Sequence, residues 1–275
     1  MVRVAFQGER GAFSEDAVIK LFGKDVSFLP CVRLRDVFQE VLKESVNFGV
    51  IPVENSQAGS INESYDLLLT YPLNIFAELI LKVSHCLMAL PREKLADIRT
   101  IYSHPQALAQ CEEFLNQLKA ELMPSYDTAG SAKMIKERQL RRCAAIASRR
   151  AADIYGLEVL VPQIETNINN YTRFFAISKQ KAKPARKNKT SLVFAAKHVP
   201  GALHSILGIF AARNINLTKL ESRPSKSKPW EYVFYTDFEG HIDSEVYQGA
   251  MKELQKEVTF IKILGSYPQA EQQLD

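Results

Sequence analysis

The chain has 275 residues, 46% of them hydrophobic and 24% charged, a make-up that fits an ordinary globular protein with one or two cores. Its net charge of +4 has a local origin: Lys179, Lys181, Lys183, Arg186, Lys187 and Lys189 lie together with no acidic residue among them, and removing these six leaves −2. The excess therefore reads as a solvated linker and argues against a basic face for nucleic acid. No apolar run reaches membrane-spanning length, since the longest candidate, Leu79 to Leu90, is interrupted by Lys82, Ser84 and His85. Met1 to Phe6 reads as a strand and not as a signal peptide, which points to the cytoplasm. Cys31, Cys86, Cys111 and Cys143 are scattered, without a CxxC pair or a histidine at ligand spacing, so reduced thiols are expected and a metal site is not.

Up to residue 178, strand-like and helix-like segments alternate. Strand Val2–Gln7 leads through Gly8-Glu9-Arg10-Gly11 to a helix that buries Ala17, Val18, Leu21 and Phe22. A second helix, Asp36–Glu44, presents Val37, Phe38, Val41 and Leu42, and strand Phe48–Val53 runs into Glu54-Asn55-Ser56-Gln57-Ala58-Gly59. Ser60-Ile61-Asn62-Glu63 has the form of a capping box, opening a helix faced by Ile61, Tyr65, Leu68 and Leu69. Long strands are expected from Leu73 to Leu90. Strand Ile101–Ser103 then meets His104-Pro105, with proline in a first helical turn, and Leu108, Cys111, Leu115 and Leu118 line the helix. The strand-to-helix unit recurs at Met123–Ser125 into Asp127–Ser131 and at Cys143–Ala147 into Ser148–Tyr155, and strand Thr172–Ser178 closes the region. This rhythm predicts mostly parallel sheets flanked by helices, with ligands beyond the carboxyl ends of the strands. The polar turns can offer helix N–H groups to an anion, or can simply cap helices. The glycines of Gly8-Glu9-Arg10-Gly11 do not have dinucleotide-fingerprint spacing.

After the linker the pattern changes to βαββαβ, a ferredoxin-like plan. Strand Ser191–Ala196 precedes a helix that begins at Pro200 and is faced by Leu203, Ile206, Leu207 and Phe210. Strands Leu217–Ser222 and Trp230–Phe238 are joined by the loop from Arg223 to Pro229, and helix Ser244–Val258 and strand Phe260–Tyr267 complete it.

There is no metal-ligand cluster, GxSxG elbow or P-loop in the sequence. His104 reads as a base or as a helix cap, and His85 as a core or sheet-surface residue. The polar residues that stand out are Ser14, Asn55, Ser56, Thr128, Asn170, Thr172 and Arg173, a set suited to orienting an acid-bearing small molecule and not to strong acid–base work. Four stretches are similar to the prephenate dehydratase family: Phe6-Gln7-Gly8 with Gly11-Ala12-Phe13-Ser14, Gly49 to Ser56 with Gly59, Ser103-His104-Pro105-Gln106-Ala107-Leu108, and Asn170-Tyr171-Thr172-Arg173-Phe174. The C-terminal part, with Gly201-Ala202-Leu203, Asn214-Ile215-Asn216-Leu217-Thr218 and Glu221-Ser222-Arg223-Pro224, resembles a phenylalanine-binding ACT domain.

The resemblance implies a two-lobed, periplasmic-binding-protein-like α/β catalytic unit over residues 1–178, a linker at 179–189, an ACT domain at 190–268 and a tail at 269–275. It implies the monofunctional form, no cofactor, and loss of water and carbon dioxide from prephenate to give phenylpyruvate. Thr172 matches the essential threonine of the family. Ser14, Asn55, Ser56, Thr128, Ala129, Asn170, Arg173 and Phe174 are the substrate-binding candidates, with Arg173 read either as a carboxylate ligand or as a structural ion pair. Strand alternation sets Thr172 and Phe174 on one face and Arg173 on the other. Phenylalanine binding is implied at a dimer interface through Gly201, Ala202, Leu203, Asn214, Asn216, Leu217, Glu221, Ser222, Arg223 and Pro224, with feedback inhibition of a homodimer or homotetramer; His204 receives no role. Two rival expectations remain, an arogenate dehydratase and a non-catalytic small-molecule sensor, and the Thr172 hydroxyl favours an enzyme.

Overall fold

The structure, a computed structural model, describes residues 1–225 and 232–271. It divides into two compact units, Met1–Ser64 with Leu79–Phe174, and Tyr65–Glu78 with Phe175–Asp275.

The elements up to the linker are β1 (Arg3–Gln7), α1 (Phe13–Phe22), β2 (Ser27–Cys31), α2 (Leu34–Leu42), β3 (Phe48–Asn55), β4 (Gly59–Ser60), α3 (Asn62–Thr70), β5 (Asn74–Lys82), β6 (Cys86–Ala89), β7 (Thr100–Ser103), α4 (Pro105–Gln110), α5 (Glu112–Leu115), β8 (Glu121–Pro124), α6 (Thr128–Arg138), β9 (Cys143–Ala147), α7 (Arg149–Tyr155), β10 (Glu158–Val161) and β11 (Tyr171–Ser178). One sheet has the order β2-β1-β3-β11-β5, with β4 on β3; a second has the order β10-β6-β9-β7-β8. In the first sheet β1 runs parallel to β2 and β3, and its Val4, Ala5 and Phe6 are wholly buried. Such a strand is apolar on both faces because helices cover both. In the second sheet β7 is parallel to β8 and β9 while β6 and β10 run antiparallel, around a core of Leu87, Ile101, Cys111, Leu115 and Ile146.

Several expectations shift. The run from Leu73 to Leu90 is broken at Val83–His85, because the chain there leaves the first sheet for the second. The break is held by Val83 N–H on Asn170 O at 2.8 Å and by His85 N–H on Glu165 Oε2 at 2.9 Å. His85 is thus in a crossover and not in a strand. Ser60 does not cap α3, since it pairs with Glu54 in the β3–β4 hairpin. The helix expected through Leu108 and Leu118 bends at Cys111 into α4 and α5, and keeps Cys111 and Leu115 buried. Strands β2 and β10 were not foreseen; β2 contains Pro30, which an edge position tolerates.

In the second unit, β12 (Asn188–Ala196), α8 (Ala202–Ala211), β13 (Leu217–Pro224), β14 (Tyr232–Glu239), α9 (Glu245–Glu257) and β15 (Val258–Pro268) form the βαββαβ plan. The sheet order is β13-β14-β12-β15, antiparallel throughout. The expected strand start at Trp230 and the loop ending at Pro229 fall at residues 226–231, outside the described residues. One sheet face packs Leu192, Phe194 and Phe238 on Ile206, Phe210 and Leu254 of the two helices. Residues 65–78 meet side chains of the same sheet: Tyr235 Oη donates to Tyr65 O at 3.3 Å, and Lys262 Nζ donates to Leu68 O, Leu69 O and Tyr71 O at 2.8, 2.9 and 2.7 Å. Those carbonyls end α3 and have no intrahelical partner, so an ammonium group suits them. Lys189, expected in a solvated linker, lies inside β12, is 9% exposed, and bonds Glu78 Oε1 at 2.8 Å.

Candidate active site

Strand-exit turns of the first unit converge on a cavity of about 240 Å³. Ser14 and Phe13 reach it from the start of α1, Asn55 from the end of β3, His104 and Gln110 from α4 and its cap, Asp127 and Thr128 from the start of α6, and Thr172 and Phe174 from β11. This is where an open α/β sheet presents ligands, because side chains at strand ends escape the ladder and helix N-termini point the same way.

A buried hydrogen-bonded chain forms the floor. Asn55 Oδ1 accepts from the backbone N–H of Gln57 and of Ala58, both at 3.0 Å. Asn55 Nδ2 then donates to Asn170 Oδ1 at 2.8 Å, to Thr172 Oγ1 at 3.0 Å and to Tyr171 O at 3.2 Å. Asn170 Nδ2 donates to Gln110 Oε1 at 3.1 Å, and His85 Nε2 lies 2.9 Å from the same oxygen. Because Thr172 Oγ1 accepts from Asn55, its own proton is left to point elsewhere, and it has no acceptor among the described residues. Burial holds the His85 imidazole below the ordinary histidine range, so the ring is neutral at pH 7.

The wall opposite is tied across the two sheets of this unit. Asp127 Oδ2 accepts from Glu9 N–H at 2.8 Å, Tyr126 Oη donates to Glu9 Oε1 at 3.1 Å, and Lys133 Nζ donates to Glu9 Oε2 at 3.0 Å. Burial raises the Asp127 carboxyl above the usual range. Gly8 sits here with φ +106°, and a Cβ on it would come within 3.1 Å of Asp127 Oδ2, so glycine serves both the left-handed backbone and the close approach. No lysine or arginine lines the cavity. An acidic ligand would therefore meet hydroxyls, amides and N–H groups, foremost at α1, whose N-cap Ala12 contributes no side-chain cap.

The residues singled out from sequence divide in two. Ser14, Asn55, Thr128, Thr172 and Phe174 line the cavity. Ser56, Ala129, Asn170 and Arg173 do not. Ser56 is exposed and ties β3 to β11, donating to Asn169 O at 3.0 Å and accepting from Tyr171 N–H at 2.9 Å. Ala129 is fully buried with its N–H on Asp127 Oδ1 at 3.1 Å, so the Thr128-Ala129 turn is already capped by a carboxylate. Asn170 stands behind Asn55. Arg173 points away from Thr172, as strand alternation requires, and pairs with Glu54 at 3.6 Å. Sequence reasoning missed Gln110, whose signal was its place one helical turn after Gln106 on α4. It also left His85 without a function, and His104 is found as the cap of α4, accepting from Gln106 N–H at 3.2 Å.

In the second unit a cavity of about 380 Å³ is lined by Ala202 and Leu203 of α8 together with Val199, Tyr232 and Phe234. Gly201 caps α8 at φ +80° with open space around it, and Asn214 is left-handed at φ 53°. Asn214 and Asn216 are exposed in the turn between α8 and β13. Neither lines this cavity, and neither do Leu217, Glu221, Ser222, Arg223 and Pro224. Leu217 packs into the helix-side core, Glu221 pairs with Lys219 at 2.9 Å, and Arg223 pairs with Asp66 at 3.3 Å, while Ser222 and Pro224 are exposed on the alternate side of β13. One chain therefore does not bring the proposed effector residues together. His204 is exposed on α8.

Comparison with known proteins gives these arrangements a context. The family model for prephenate dehydratase matches residues 4–182, and that for the ACT domain matches residues 190–257. An Arabidopsis thaliana relative named arogenate dehydratase/prephenate dehydratase 2, chloroplastic, is 43% identical, with 97% of this chain and 73% of the relative covered. The solved prephenate dehydratase of Arthrobacter aurescens in complex with L-Phe superposes with a TM-score of 0.89 at 31% identity, covering 98% of this chain and 90% of that one. A solved structure described as GqqA, a novel type of quorum quenching acylase, superposes with a TM-score of 0.88 at 33% identity, covering 98% of each chain. A family match over most of the first unit, a second over the βαββαβ plan and relatives alike along nearly the whole chain lead to one conclusion: this chain belongs to the prephenate dehydratase family and carries an ACT domain.

Proposed function

We propose that the chain converts prephenate to phenylpyruvate in phenylalanine biosynthesis and that L-phenylalanine inhibits it. The observation that carries the reading is the hydrogen bond from Asn55 Nδ2 to Thr172 Oγ1, which leaves the Thr172 O–H as a donor at the cavity. In the reaction the ring carbon–carboxylate bond breaks, its electron pair enters the ring as aromaticity forms, and the ring carbon–oxygen bond opens on the far side. Charge grows on the departing oxygen, where a positioned hydroxyl donor stabilises it. The proton that completes water comes in the end from solvent, since threonine is too weak an acid to act as a reservoir. Phe174 gives the departing carboxylate an apolar wall. Ser14 and the first N–H groups of α1 are the ligands for the side-chain carboxylate. Among substrate-binding residues, Asn55, Thr128 and Phe174 keep that role, while Ser56, Ala129 and Arg173 act as supports.

Arogenate is a second reading, favoured by the relative whose name carries both activities. An acylase would need an activated nucleophile, and the recorded partner of Thr172 Oγ1 is an amide, not a base. The L-Phe complex of the similar enzyme supports an effector role for phenylalanine, with the two halves of its site supplied across a homodimer or homotetramer. The four free cysteines fit a reducing compartment, the cytoplasm. Parallel assays decide: the wild type should form phenylpyruvate from prephenate faster than phenylalanine from arogenate, and L-phenylalanine should suppress the rate. Turnover of neither substrate would end the dehydratase reading, and faster arogenate turnover would replace prephenate.

A further inference from the structure

The floor of the active-site cavity has a direction. Most buried amides leave the identity of oxygen and nitrogen open, but here the backbone decides it. Gln57 N–H and Ala58 N–H can only donate, so the Asn55 atom they meet at 3.0 Å is the oxygen. Its nitrogen must then face Asn170 and Thr172, which makes both of those atoms acceptors. Asn170, 1% exposed, therefore turns its own nitrogen to Gln110. Gln110 is fixed a second time, because its nitrogen lies 3.3 Å from Asn55 Oδ1. Gln110 Oε1 faces His85 Nε2 at 2.9 Å, so that nitrogen carries the ring proton. His85 Nδ1 is left bare; it is buried without a partner in a ring that lines the cavity.

We infer that Asn170 is a positioning residue for the dehydration: it transmits the polarity set by the Gln57 and Ala58 amides both to Thr172, whose hydroxyl is thereby kept as a donor, and to His85, whose Nδ1 is kept as a bare acceptor. The inference rests on the proposed role of Thr172. It does not require Asn170 to touch the substrate, and Asn170 does not line the cavity.

The substitution Asn170→Asp separates this role from packing, because it preserves shape and the acceptor for Asn55 but removes the donor to Gln110. Gln110 would turn its nitrogen to the new carboxylate and present nitrogen to His85 Nε2, which must then give up its proton. Two readouts follow on the full-length protein. In spectra of ¹⁵N-histidine-labelled enzyme at pH 7, with His85 assigned through His85→Gln, the wild type should show a protonated Nε2 and a bare Nδ1, and Asn170→Asp should lose the bare Nδ1 signal. In steady state, kcat should fall about 100-fold while KM moves less than about threefold, the pattern of a misplaced transition-state donor. The inference is overturned by a proton on Nδ1 of wild-type His85, by a kcat within about threefold of wild type in Asn170→Asp, or by a kcat loss with His85 unchanged. Should the variant fail to fold, the wild-type tautomer alone decides. An enzyme inactive on both substrates with the expected tautomer would sink the dehydratase reading and leave the polarity of the chain standing.

Discussion

Replacing Thr172 by valine is the sharpest test of the proposed chemistry, because valine keeps the branched shape and removes one oxygen. The side chain is 8% exposed, so the shape matters for packing. Asn55 Nδ2 would lose its 3.0 Å contact with Oγ1 but keep Asn170 Oδ1 at 2.8 Å and Tyr171 O at 3.2 Å. The folding cost should thus be about 1 kcal/mol, a drop of a few degrees at most in Tm. The catalytic cost is larger: loss of a preorganised donor to a developing oxyanion lowers kcat by roughly 100- to 1,000-fold, or about 2.7–4 kcal/mol. Thr172→Ser, which retains the oxygen but frees its rotamer, should keep kcat within about tenfold of wild type. Phenylpyruvate formation from prephenate, followed with thermal unfolding of each variant, gives both numbers. A valine variant that retains more than a tenth of wild-type kcat would refute the role of the hydroxyl.

Three further outcomes are expected. The kcat should be flat from about pH 7 to about pH 9, since threonine does not titrate there and burial keeps His85 neutral; a bell centred in that range would require a titrating base. Asp16 is raised to about 6, first by desolvation and against the pull of Arg150. Its folded value exceeds the unfolded one, so its favourable contribution is present below about pH 4 and lost as pH rises through about 6; Asp16→Asn should stabilise by up to about 3 kcal/mol at pH 7.5 and much less at pH 4.5, and equal gains in urea melts at both would contradict the assignment. Lys189→Met should cost about 3–5 kcal/mol by stranding the Glu78 carboxylate, and adding Glu78→Gln should recover much of the loss; a single variant within about 1 kcal/mol of wild type would show the pair to be idle.

Periodicity made the βαββαβ plan and most strand-to-helix units legible, because each depends on neighbours within a dozen residues. It also placed Thr172 and Phe174 on one face and Arg173 on the other, since strand alternation is local. The site's inner structure was not legible for the opposite reason. Asn55 meets partners 115 and 117 positions away, and Gln110 reaches Asn170 across 60. Nothing near Asn170 in the chain distinguishes a residue that touches substrate from one that stands behind such a residue. Lys189 misled because a run of like charges reads as solvated, while only the fold reveals that Glu78 waits for its last member. The break at Val83–His85 was hidden by apolar residues that suit either sheet.

The amide chain also has a stability logic. Buried amides and an imidazole cost folding free energy unless each donor finds an acceptor, and a well-packed apolar floor would satisfy packing with less risk. Here every printed amide contact from Asn55 to Gln110 has a complementary partner. The two ends differ: the Thr172 proton and the His85 Nδ1 lone pair have no partner among the described residues, and both residues line the cavity. Satisfaction inside and want at the ends is what a preorganised site requires, since its dipoles must already point at charge that develops later. The enzyme thereby obtains directed donors and acceptors at neutral pH from groups that do not ionise, with their direction set by two backbone N–H groups in the β3–β4 turn.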